Sequence, residues 1–229
     1  MTAYFVTSTG TDIGKTFVTA GLIRHLRAHK KKVDALKPIV SGFDLATAAL
    51  SDPGMLLEAL DEPIVPEALD RIAPWRFAAP LSPDMAAERE GKSIDYNALL
   101  SFCREAISAN DGTLFIEGVG GAMVPLDHHH TVLDWMVALG LPLIVVTGSY
   151  LGTISHTLTA LDVLARRNLH VAGLVVNESP TDIPLAQTIA SIRRFAPHIP
   201  IALLSRHKRP TDGASEFASI WRTLSHSGD

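Results

Sequence analysis

The 229-residue sequence holds a single cysteine, Cys103. It therefore has no internal disulfide framework, and a reducing compartment fits. Cys103 lies in an apparent helix without an activating neighbour, which reads as a buried structural thiol. No apolar run reaches the length of a membrane span. Met1-Thr2-Ala3-Tyr4-Phe5-Val6 lacks the basic start and long apolar core of a signal peptide. Ser225-His226-Ser227-Gly228-Asp229 is too short and polar for a membrane-targeting tail. Basic blocks are also missing. Lys30-Lys31-Lys32 is a short run following a helix, where cations suit the dipole. With a net charge of −4, the sequence indicates neither nucleic acid nor membrane as a partner, and a soluble cytoplasmic protein is expected.

Hydrophobic residues make up 47% of the chain, enough for a well-buried α/β core. Short apolar runs alternate with longer amphipathic stretches. Strands are predicted at 3–7, 33–40, 113–117, 141–147, 171–177 and 199–204. Helices are predicted at 14–29, 51–60, 82–89, 95–109, 132–139, 153–167, 183–195 and about 214–224. Val18, Leu22 and Leu26 recur on one face of the first helix. The strands are continuous apolar runs, as in sheets covered on both faces. The β-α-β-α order predicts a doubly wound, mostly parallel α/β sheet with helices on both faces, of the P-loop NTPase kind. No linker or repeat divides residues 1–229, so a single domain is expected. Residues 43–92 are the least regular stretch and are expected to carry loops over the active face.

Ligands of such sheets bind at the carboxyl ends of the strands. After the first strand comes Thr9-Gly10-Thr11-Asp12-Ile13-Gly14-Lys15-Thr16, leading into a helix. Unpaired N–H groups and the helix dipole favour phosphate there. Lys15 suits the outer phosphates and the Thr16 hydroxyl suits magnesium. The strict phosphate-loop pattern wants glycine at position 9; here it is displaced to Gly10. After the second strand, Lys37-Pro38 is held extended and points over that loop, although an ordinary surface lysine would look the same. Glu117-Gly118-Val119-Gly120-Gly121 ends the third strand with a carboxylate, either a second magnesium anchor or a loop cap. Gly148 to Thr153 opens a helix whose N-terminus suits a carboxylate, and a plain cap explains it equally well. Asn177 has the donor and acceptor to read a purine edge, or is a turn residue. His128-His129-His130 reads as a solvated loop, because three consecutive rings cannot easily face one ion.

Taken together, these motifs resemble the dethiobiotin synthetase family. The resemblance rests on Gly10 to Thr16, Lys37-Pro38-Ile39-Val40-Ser41-Gly42 and Glu117-Gly118-Val119-Gly120-Gly121. It extends through Ala79 to Pro83, Asp134-Trp135, Leu151 to His156 and Gly173 to Asn177. It implies an ATP- and Mg2+-dependent ligase of biotin biosynthesis that acts on 7,8-diaminononanoate and CO2. Lys37, Lys15 and Thr11 are then the catalytic set. ATP would be held by Asp12, Ile13, Gly14, Lys15, Thr16, Phe17, Glu117, Gly118, Val119, Gly120, Asn177, Leu204, Ser205 and Arg206. Substrate would be held by Thr11, Lys37, Ser41, Tyr150, Leu151, Gly152 and Thr153, and the metal by Thr16, Asp52 and Glu117. The family implies a homodimer sharing the substrate pocket. Relatives often have glutamate at position 12, lysine at 150, asparagine at 155 and proline at 205. This chain has Asp12, Tyr150, Ser155 and Ser205. A ParA/MinD-like regulatory ATPase switch is the alternative. Such switches carry a second lysine early in the phosphate loop, and positions 8 to 13 hold none.

Overall fold

The computed structural model describes residues 2–207 and 213–225; Ser225 is thus the only residue of the polar C-terminal stretch that it covers. In chain order the elements are β1 (Thr2–Ser8), α1 (Lys15–Ala28), β2 (Val33–Leu36), β3 (Ile39–Ser41), a 3-10 segment (Leu45–Leu50), α2 (Asp52–Leu60), α3 (Pro66–Ile72), β4 (Trp75–Phe77), α4 (Pro83–Arg89) and α5 (Tyr96–Ala109). They continue with β5 (Thr113–Glu117), α6 (Val132–Leu139), β6 (Leu143–Gly148), α7 (Thr153–Arg166), β7 (Val171–Asn177), α8 (Leu185–Phe195), β8 (Ile201–Leu204) and α9 (Ala214–Ser225).

Six strands form one parallel sheet in the order β2-β5-β1-β6-β7-β8. The chain first runs outward from β1 to β2. It returns through β5 and then moves the other way through β6. The loop after β1 therefore lies where the winding direction reverses, the place where such sheets open a crevice. Successive residues of β1 show that both faces are covered. Tyr4 packs on Phe115 and on Trp221 of α9, while Phe5 meets Trp135 of α6 edge-on at 4.8 Å.

Two expectations need correction. Residues 33–40 do not form one strand. Pro38 has no N–H to donate to a ladder, and the chain leaves the main sheet after Leu36. It resumes as β3, which pairs with β4 in a separate two-stranded sheet. The irregular stretch 43–92 is likewise not simply loops. It holds the 3-10 segment, α2, α3, β4 and α4, of which only the second and last helical pieces were expected. Cys103 is fully buried on α5, and burial pushes its thiol up to about 12, so it is an inert core side chain.

Candidate active site

The loop from Thr9 to Gly14 joins β1 to α1. Gly14 is the N-cap of α1 at φ 92° and carries no capping side chain. The first N–H groups of the helix are thus left for an anion. Only glycine fits there. A Cβ on Gly14 would lie 2.4 Å from Asn177 Nδ2, and that amide donates to Ile13 O at 3.0 Å. Asn177 therefore braces the phosphate loop from behind, at the end of β7. Lys15 is buried, and its ammonium donates to Ser8 Oγ at 3.2 Å. Burial first, and the nearby Lys37 charge second, lower it to about 8.

Glu117 ends β5 and is 0% exposed. Its Oε1 accepts from Thr16 Oγ1 at 2.7 Å and from Lys37 Nζ at 2.8 Å; its Oε2 accepts from Thr19 Oγ1 at 2.8 Å. Lys37 also donates to Gly118 O at 2.8 Å and pairs with Asp52 Oδ2 at 2.9 Å. Burial alone would lower the Lys37 ammonium, but the Glu117 and Asp52 carboxylates overcome it and raise it. Burial would raise Asp52, and the Lys37 charge instead holds it below its ordinary value. Asp52 is placed by the start of α2, where Ser51 Oγ caps Gly54 N at 3.3 Å. Thr19 is a member of this polar group that sequence reasoning missed. Its signal was present: Thr16 and Thr19 are three residues apart and share one face of α1.

Lys15, Thr16, Lys37 and Asp52 line a cleft of about 480 Å³ together with Thr11, Asp12 and Ser41, and the buried Glu117 stands behind them, hydrogen-bonded to Thr16 and Lys37. Phe17, Val119 and Gly120 also border it, beside Leu50 and Met55, which the sequence did not suggest. The hydroxyl of Thr16 and the carboxylates of Asp52 and Glu117 are hard oxygen donors, the set that a magnesium ion takes together with phosphates and water.

The remaining candidates lie around this cleft. Tyr150 reaches the far side of the phosphate loop, where it shares a cleft with Thr11, Ile13 and His156, and its hydroxyl lies 2.9 Å from His156 Nδ1. Gly152, at φ 95°, opens α7. Thr153 is buried and donates to Gly148 O at 2.7 Å, so its hydroxyl ties the turn together. Leu151 is 89% exposed. An apolar groove of about 540 Å³ runs from Thr11 past Val124 to Ala160 and Val163 of α7. Leu204 is buried at the end of β8, beside Asn177. Ser205 Oγ donates to Glu216 Oε1 at 2.7 Å, and Arg206 N donates to Glu178 Oε2 at 2.9 Å, which fixes this loop at the sheet edge. His130 pairs with Asp127 at 2.8 Å and stacks on Tyr96 at 3.8 Å, and no three metal-ligating side chains of the His/Cys/Asp/Glu type converge among the described residues.

Comparison with known proteins separates fold from family. A family model described as an AAA domain matches residues 2–206. The MinC:MinD complex of Aquifex aeolicus superposes with a TM-score of 0.63 at 12% identity, covering 99% of this chain and 96% of that one. MinD of Pyrococcus furiosus gives 0.59 at 19% identity, covering 99% of both. Identities this low show a shared fold. An ATP-dependent dethiobiotin synthetase of Acidiphilium cryptum is 48% identical over 85% of this chain and 88% of its own length. That of Phenylobacterium zucineum is 47% identical over 96% and 93%. The chain belongs to the dethiobiotin synthetase family. In that family setting, Gly14, Lys15, Thr16, Lys37, Asp52 and Glu117 form one contiguous group at the head of the sheet.

Proposed function

We propose that this protein is an ATP-dependent ligase that converts 7,8-diaminononanoate, CO2 and ATP into dethiobiotin, ADP and phosphate. One amine of the substrate attacks CO2 and loses a proton, giving a carbamate. A carbamate oxygen takes the γ-phosphoryl group and ADP leaves. The second amine attacks the carbonyl carbon of the mixed anhydride, phosphate leaves, and the cyclic urea closes. The observation that carries this reading is the Lys15 ammonium and the open N-terminus of α1 facing one cleft, with a second lysine, Lys37, at its wall. Carbamate and γ-phosphate are both anions, and bringing them together requires such positive potential.

In this reading Lys15 and the α1 N–H groups hold the phosphates. Lys37, Thr11 and Ser41 hold the carbamate end of the diamine. Thr16, Asp52 and Glu117 hold Mg2+, which neutralises phosphate charge when bound. Asn177 and the Leu204-Ser205-Arg206 segment border the adenine. The apolar groove beside Val124 takes the alkyl chain, and the α7 N-terminus with Tyr150, Leu151, Gly152 and Thr153 takes the far carboxylate. The family resemblance is the ground for a homodimer, in which a second copy would cover the end that carries the exposed Leu151. No helix among the described residues is long and apolar enough to cross a membrane, and with a biosynthetic role this supports a cytoplasmic location. The test is product formation by purified protein with ATP, Mg2+, bicarbonate and the diamine. Dethiobiotin is expected only when all are present. ATP hydrolysis without the diamine, and no product with it, would favour the MinD-like switch instead.

A further inference from the structure

Lys37 is placed differently from an ordinary phosphate-binding lysine. An ammonium has three N–H donors. Here three acceptors surround it: Glu117 Oε1 at 2.8 Å, Gly118 O at 2.8 Å and Asp52 Oδ2 at 2.9 Å. Its side chain is 2% exposed. In this arrangement Lys37 has no donor left for an anion in the cleft. Lys15, by contrast, borders the same cleft with its ammonium on the Ser8 hydroxyl alone among these groups.

Two of the acceptors around Lys37 belong to Asp52 and Glu117, the carboxylates assigned above to the metal. Without a cation between them, the buried Glu117 carboxylate and the half-exposed Asp52 carboxylate would repel each other. A divalent ion and an ammonium held by the same two oxygens would repel in turn.

We propose that Lys37 is the built-in counter-ion of the metal site: it neutralises Asp52 and Glu117 while no divalent ion is bound, and is displaced toward the cleft when one binds. This rests on the assignment of Thr16, Asp52 and Glu117 to the metal. It also gives the site an order. The lysine that must face phosphate and carbamate is released to do so only once another cation has taken its carboxylates. A metal-free enzyme therefore holds its catalytic ammonium in reserve, and metal uptake and lysine delivery are one event.

The test is Mn2+ binding without nucleotide, followed by electron paramagnetic resonance of the free ion. Three proteins are compared: the unsubstituted chain, Lys37→Met and Lys15→Met. Each is purified in Mg2+, so that folding does not depend on the lysine, and then exchanged. If Lys37 occupies most of the free site, its removal raises apparent affinity by the reciprocal of the vacant fraction. Lys37→Met is expected to bind Mn2+ at least about tenfold more tightly than the unsubstituted chain, and Lys15→Met within about threefold. In EDTA, Lys37→Met is also expected to melt at a lower temperature and to recover more on Mn2+ addition than the unsubstituted chain. Lys37→Gln carries the same expectations should Lys37→Met fail to fold. Equal or weaker Mn2+ binding by the Lys37 variants overturns the inference. So does equal tightening in Lys15→Met, which would report only a general loss of positive charge. Absence of Mn2+ binding in all proteins overturns it as well. The functional reading falls separately, if the unsubstituted chain makes no dethiobiotin with Mg2+ present.

Discussion

Each oxygen of the buried Glu117 carboxylate has a donor, and Oε2 is served by the Thr19 hydroxyl. Thr19→Val keeps the shape and removes that donor. Leaving a buried acceptor short of a partner costs about 1–3 kcal/mol, and more when the acceptor is charged. The variant is expected to melt at a lower temperature and to turn over more slowly. An unchanged midpoint in calorimetry would show that this bond contributes nothing. Lys15 gives a pH signature. Its folded value of about 8 lies below its ordinary 10.5 because of burial and then the Lys37 charge. An unfolded Lys15 keeps its proton between these values while the folded one sheds it. The cost of burying the charge is therefore present below pH 8 and relieved as pH rises toward 10.5. Nucleotide phosphates favour the charged form. ATP binding near pH 8 should take up a fraction of a proton, and affinity should weaken as pH rises further. Identical binding heats in buffers of different ionisation enthalpy would rule this out.

At the scale of elements, α1 depends on a close approach to α9. A Cβ on Gly21 would lie 2.0 Å from Phe217 Cζ. Alanine is the better helix former by about 1 kcal/mol, but overpacking against a ring costs about 1–3 kcal/mol. Gly21→Ala is therefore expected to lower the melting temperature, and adding Phe217→Leu to restore part of it. No recovery in the double variant would point away from this contact. The same scale shows what could be read from sequence. The α1 register was legible because Val18, Leu22 and Leu26 repeat over a long helix and are all buried. The pieces α3 and β4, at seven and three residues, are too short to display a period and are set by tertiary packing. The break after Leu36 was written in Pro38, yet the apolar run across it masked the change of sheet.

Across the whole molecule, the site gathers side chains from the loop after β1, from α1, from the Lys37-Pro38 turn, from α2 and from the end of β5. Lys15, Thr16, Lys37 and Glu117 stood out in the sequence because each ends or follows a strand with a side chain suited to phosphate or metal, whereas Thr11, Asp12, Ser41 and Asp52 came only with the family resemblance. Their mutual contacts were not legible, since no spacing in the chain reveals that Lys37 is wrapped by Asp52, Glu117 and a carbonyl. The central position of β1 has a further consequence. Thr2 of β1 pairs with Thr113, and Phe5 with Leu143. A ribosome delivers β1 first and both of its neighbours only much later. Until residues 113–148 emerge, Tyr4, Phe5 and Val6 have no sheet to enter, and the phosphate loop has no floor. Nucleotide therefore cannot rescue an early nascent chain. Sheets closed by such distant pairings form slowly and expose apolar surface meanwhile, so the demand for chaperone protection falls before the enzyme can bind anything.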